Sequence, residues 1–225
     1  MLYAALGDSI TYGYSAIEEK HRFVNRIQSA LSKQQPVNVL LNAKPGWTSK
    51  QLLTASRKVP DCIWAEARLI TVLVGGNDLL RSIPWLLEGN AAKALRVADR
   101  VRDNVAQLVS LVKRPNSIVI LGTLYNPFPN SLLAEEYTEA INKSLHSIAQ
   151  REHVHLADLR KPFYRHEGRF IEGYRQGRLQ DIRIRGNPIH PNDEGHEAIA
   201  RVFLQTYRRI AAHNRSTRAR ARALR

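Results

Sequence analysis

The chain has 225 residues, 44% of them apolar, and a formal net charge of +14. That length allows one sizeable α/β domain, and no apolar run approaches the roughly 20 residues of a membrane span. The lone cysteine, Cys62, excludes an internal disulfide and reads as a packing residue. The N-terminus lacks the basic region and apolar core of a signal peptide. Together these features predict a cytoplasmic protein.

Leu2 to Leu6 is an apolar run that predicts a buried strand. It leads into Gly7-Asp8-Ser9, where glycine permits a sharp turn. A serine at the carboxyl end of a strand has its hydroxyl in the crevice where open α/β sheets bind ligands. The plainer reading of Asp8-Ser9 is a helix-capping turn. From Ile17 to Lys33 the apolar spacing predicts a helix, ended by Pro36. A second strand follows over Val37 to Asn42, then the turn-rich loop Ala43-Lys44-Pro45-Gly46-Trp47 and a helix over 48–57. Leu69 to Val74 is continuously apolar, as a strand covered on both faces must be. It ends at Gly75-Gly76-Asn77-Asp78.

Residues 79–89 read as a loop or short helical turn, and 91–112 as a long helix. A fourth strand spans Ser117 to Gly122, with the proline-pinned loop Tyr125 to Asn130 after it. A helix over 132–151 and a short strand over Val154 to Asp158 complete the alternation. Arg160 to Arg185 is basic, aromatic and irregular. A last helix starts at Asn192 or Asp193, either of which can cap it, and runs to about Ala212. Five strands alternating with helices predict a three-layer α/β/α domain with a parallel sheet.

Part of the charge is local. Residues 214–225 carry five arginines and no acid, and without them the balance falls from +14 to +9. They are expected to form a basic, disordered tail on a single domain over 1–213. Such a field favours anionic substrates or surfaces. It carries no base-reading motif, so specific nucleic-acid recognition is not expected.

Acyl transfer needs a nucleophile, a base, a group that orients the base, and donors for an oxyanion. Ser9 can attack and His190 can take the proton. The N–H groups of Ser9 and Gly46 and the side-chain amide of Asn77 can supply donors. Four blocks carry these residues in order: Gly7-Asp8-Ser9; Gly46; Gly75-Gly76-Asn77-Asp78; and His190-Pro191-Asn192 with Gly195-His196. In this the chain resembles the SGNH/GDSL hydrolase family over residues 2 to about 210. The resemblance implies a flavodoxin-like fold, ester or thioester hydrolysis without metal or organic cofactor, and the roles just named. The family usually has aspartate three residues before the histidine, and Asn187 stands there instead. Its amide oxygen could orient His190, as asparagine does in papain-like proteases; Asp181 or Asp193 could substitute. Tyr12, Tyr14, Trp47, Trp85 and Tyr125 fall in loops at the expected rim and are candidates to contact an acyl ester substrate. His196 reads as a packing residue at the helix start. An acyltransferase, or a weakened lipid- or carbohydrate-binding protein on the same scaffold, are the alternative functions.

Overall fold

A computed structural model describes residues 1–84, 91–182 and 186–223. Five strands form one sheet: β1 (Leu2–Gly7), β2 (Asn38–Ala43), β3 (Ala67–Leu73), β4 (Ile118–Gly122) and β5 (His155–Ala157). Their order is β2-β1-β3-β4-β5, and every pairing is parallel. The central strands are continuous apolar runs because both faces are covered. In β1, Tyr3, Ala4, Ala5 and Leu6 are all fully buried. The buried Tyr3 hydroxyl is satisfied by Thr71 Oγ1 at 3.0 Å.

The helices are α1 (Ser9–Tyr12), α2 (Phe23–Ser32), α3 (Ser49–Ser56), α4 (Asp61–Glu66), α5 (Gly76–Leu80), α6 (Ala91–Val112), α7 (Leu132–Arg151), α8 (Arg160–Phe163), α9 (Glu167–Phe170) and α10 (Asp193–Ala223). The crossover from β1 to β2 steps one way across the sheet, and every later crossover steps the other. Right-handed crossovers therefore place α2 on one face and α3, α6 and α7 on the other. Helix α10 returns to pack on α2, β4 and β5, while α6 packs on α3 and α7. The fold is the expected three-layer α/β/α sandwich.

Four local readings are corrected. The helix expected over 17–33 begins only at Phe23: Gly13 and Ser15 take positive φ (94° and 67°), and the Ile17 N–H is drawn to Asp193 Oδ1 at 3.0 Å. Gly7 does not turn the chain. It is the last residue of β1 and has no positive φ, and a β-carbon there would collide with Thr11 Oγ1 and the Leu73 carbonyl. Helix α4 was not expected; it buries Trp64 completely and leaves Cys62 exposed rather than packed. Helix α10 runs to Ala223 instead of stopping near Ala212, so residues 214–223 of the expected disordered tail are helical. Alanine and arginine, which dominate that stretch, are among the strongest helix formers. Trp85 lies outside the described residues.

Candidate active site

The strand order reverses between β1 and β3, so their carboxyl ends sit side by side, with Gly7 opposite Leu73. This is the switch point at which open α/β sheets leave a crevice. Ser9 enters it on the first residue of α1. Asp8 caps that helix, its Oδ1 accepting the Ile10 N–H at 3.0 Å. Ser9 is only 7% exposed, and its Oγ lies 2.9 Å from His190 Nε2.

His190 arrives from the far end of the chain on the segment before α10. That segment is clamped at three points. The Glu172 N–H donates to the His190 carbonyl at 2.9 Å, the Tyr125 hydroxyl donates to the Ile189 carbonyl at 2.6 Å, and Ile171 bridges Pro191. Asn192 caps α10, its Oδ1 accepting the Gly195 N–H at 3.0 Å. Burial pushes the His190 pKa down to about 4, so the imidazole is neutral at physiological pH and free to accept a proton.

Asn77 lies in the first turn of α5, just beyond β3, where Gly75 takes φ +124° at the turn into the helix. Its Nδ2 donates to the Trp47 carbonyl at 3.0 Å and lies 3.4 Å from Asp8 Oδ2. The loop carrying Trp47 is drawn in by its neighbours. The Asp78 carboxylate accepts from both the N–H and the hydroxyl of Ser49 at 2.8 Å, and Arg81 donates to the Gly46 carbonyl at 2.9 Å. Gly46 takes φ +82° and faces open space, with no atom within 4 Å of where a β-carbon would stand. Ser9, Asn77 and His190 thus converge in one crevice, with Gly46 on the loop beside it.

Residues 5–198 match the family model of the GDSL-like lipase/acylhydrolase family. The chain belongs to that family. It is 24% identical over 209 residues to the spore germination lipase LipC of Bacillus licheniformis, covering 88% of this chain and 92% of that one. The lipase Lip_vut3 from a goat rumen metagenome superposes with a TM-score of 0.78 at 24% identity, covering 92% of this chain and 97% of the other. The acetylxylan esterase Axe2 from Geobacillus stearothermophilus gives 0.67 at 18% identity, with 91% and 93% covered. Those structural likenesses establish the shared fold.

In this GDSL-type chain the crevice deepens into a cavity of about 80 Å³. Ser9, Asn77 and His190 lie in its wall with Leu79, Ile83, Leu124, Phe128, Ala134 and Thr138. The wall is overwhelmingly apolar. Of the aromatic candidates, Tyr125 lines it; Tyr12 and Trp47 do not. Tyr12 is 43% exposed beneath the Arg22 guanidinium, and Trp47 serves Asn77 through its main-chain carbonyl. Tyr14 packs against His190, the ring centroids 4.5 Å apart and the planes tilted by 43°. The lining residues from α5 and α7 carried no sequence signal, because they share the apolar spacing of any core-facing helix.

The two alternative carboxylates for orienting His190 are committed elsewhere. Asp181 accepts from the Gln176 and Arg178 N–H groups, and Asp193 holds Ile17 N and His21 Nδ1. Asn187 lies in the turn leading to His190, where its main-chain carbonyl accepts the Ile189 N–H at 2.9 Å. Asp8 is buried in the cavity wall, and desolvation, reinforced by nearby Asp78, raises its pKa to about 7 against the Ile10 hydrogen bond. Among the described residues, no group of three or more His, Cys, Asp or Glu side chains is placed to hold a metal ion. No described helix is long and apolar enough to cross a membrane.

Proposed function

We propose that the chain is a serine esterase that cleaves a carboxylic ester or thioester through an acyl-serine intermediate. The observation that carries this reading is the 2.9 Å contact between Ser9 Oγ and His190 Nε2 at the head of an apolar cavity. The neutral His190 takes the Ser9 proton as Oγ attacks the substrate carbonyl carbon. The resulting oxyanion is received by the Ser9 and Gly46 N–H groups and the Asn77 amide, which exchanges its present acceptors for it. Collapse of the intermediate breaks the ester bond, and His190 returns the proton to the departing alkoxide or thiolate. Water then repeats the sequence on the acyl-serine, with His190 again as base.

In this reading Asn187 orients His190 through its amide oxygen. The apolar wall suits the acyl portion of the substrate, and Tyr125 contributes to it. The net charge of +14 favours esters whose alcohol portion is anionic, or an anionic surface that carries them. The exposed, unpaired Cys62 fits a reducing, cytoplasmic setting.

A fluorophosphonate probe tests the assignment directly. Wild type should label covalently and hydrolyse p-nitrophenyl esters, with chain-length preference set by the cavity. Ser9→Ala should fold, bind the probe weakly and neither label nor turn over. Full labelling of Ser9→Ala would overturn the assignment.

A further inference from the structure

With asparagine at position 187, and Asp181 and Asp193 committed to other partners, no carboxylate among the described residues is positioned to fix the His190 ring. The structure offers another device. The ring of Tyr14 packs against the imidazole, its centroid 4.5 Å away and its plane tilted by 43°. Tyr14 is half exposed, so the contact does not arise from burial in a crowded core. Its main chain is held at both ends. The Tyr14 N–H donates to the Ser9 carbonyl at 2.9 Å, and the Tyr14 carbonyl accepts from His196 Nε2 at 3.1 Å. The residue beside the base is thereby tied to the nucleophile's own peptide and to α10.

His196 is a costly residue for its place. It is fully buried, with the Phe23 ring stacked 6.2 Å away. A carbonyl can only accept, so Nε2 must carry the proton and Nδ1 must be bare. That bare Nδ1 is buried and meets no hydrogen-bonding group among the described residues. An unpaired buried acceptor is destabilising, and leucine or phenylalanine would fill the volume without it. The feature that histidine adds is the N–H to Tyr14.

We infer that Tyr14 is a positioning residue for His190 and that His196 holds Tyr14 in place. The flat face of Tyr14 limits rotation of the imidazole and keeps water from that side of it. The work is done by the ring and not by the hydroxyl. The other titratable groups around His190 are Asp8 and Tyr125 in the cavity wall, Glu172 through its N–H, and Asp193 and His196 on α10. This inference rests on the esterase reading for its kinetic consequence, but its spectroscopic consequence is independent of it.

Four variants of the full chain test it: Tyr14→Phe, Tyr14→Leu, His196→Gln and His196→Leu. Tyr14→Phe keeps the ring and should stay within about twofold of wild type. Tyr14→Leu should lower kcat about tenfold at nearly constant KM, the scale of a slightly misplaced base. It should also raise the His190 titration midpoint, followed by NMR of its ring protons, from about 4 towards 6.5 as water reaches the exposed face. His196→Gln retains an N–H donor and should keep most activity; His196→Leu should shift kcat and the titration in the same sense as Tyr14→Leu. If His196→Leu does not fold, the Tyr14 pair decides the question alone. The inference is overturned if Tyr14→Leu leaves both kcat and the His190 titration unchanged, or if Tyr14→Phe loses as much as Tyr14→Leu. An inactive wild type whose His190 midpoint still rises in Tyr14→Leu would sink the esterase reading and leave the positioning intact.

Discussion

The Ser9 hydroxyl can hand its proton only to an unprotonated imidazole, so the acidic limb of kcat/KM reports His190 in the free enzyme. Burial pulls that pKa from 6.5 to about 4. With a pKa near 4, about nine-tenths of His190 is neutral at pH 5; at the ordinary value about 3% would be. The two cases therefore differ roughly thirtyfold in kcat/KM at pH 5. Asp8 titrates near 7 in the same cavity wall and could impose a second limb. Asp8→Asn removes that group and keeps an oxygen for the Ile10 N–H. The assay is hydrolysis of a short p-nitrophenyl ester from about pH 3.5 to about pH 8, in wild type and Asp8→Asn. A half-maximum near pH 4 in Asp8→Asn is expected. A limb centred between about 6 and 7 that persists in Asp8→Asn would refute the claim that burial controls the base.

Asn77→Ala should lower kcat by roughly 100- to 1,000-fold with little change in KM, since an oxyanion donor acts mainly in the transition state; steady-state kinetics checks this. Ala134→Phe should shift preference towards shorter acyl chains, because Ala134 lines the cavity from α7; a p-nitrophenyl ester series reads it. Asp8 has a folded pKa of about 7 against an ordinary 3.8, so its contribution to stability is fully present below about 4 and is lost as pH rises through about 7. Asp8→Asn should accordingly raise Tm over wild type by more at pH 8 than at pH 5, as measured by thermal melts. Gly7→Ala should destabilise the fold by about 1–3 kcal/mol in denaturant titration, because the added methyl group meets the Leu73 main chain as well as Thr11.

Much of the frame was legible because burial on two faces leaves a plain mark. The runs in β1, β3 and β4 are apolar at successive positions, as strands in a covered parallel sheet must be. Helices α6 and α7 match their expected spans of 91–112 and 132–151, since long amphipathic periods dominate local noise. Short and boundary elements fared worse. Helix α4 has too few residues for a periodic signal. The helical spacing read over Ile17 to Lys33 became a helix only from Phe23, and a contact of Ile17 with Asp193 far along the chain decided the path before it.

The sequence by itself determined the alternation of strands and helices, the sheet class, and the residue types that suit acyl transfer in their family order. Each of these depends on local pattern or on the identity of single side chains. Only the tertiary structure decided what depends on distance and on water. Ser9 and His190 are 181 positions apart, and their 2.9 Å contact exists because the strand order reverses beside β1 and α10 returns to the same edge. The burial that holds His190 neutral and Asp8 near pH 7 belongs to the assembled cavity. The same holds for Gly7, whose necessity comes from Thr11 and Leu73 pressing on it. It holds too for Tyr14, an unremarkable loop aromatic until His196 and Ser9 fix it against the base. Desolvation and close approach are properties of neighbours in space, and a linear pattern does not specify them.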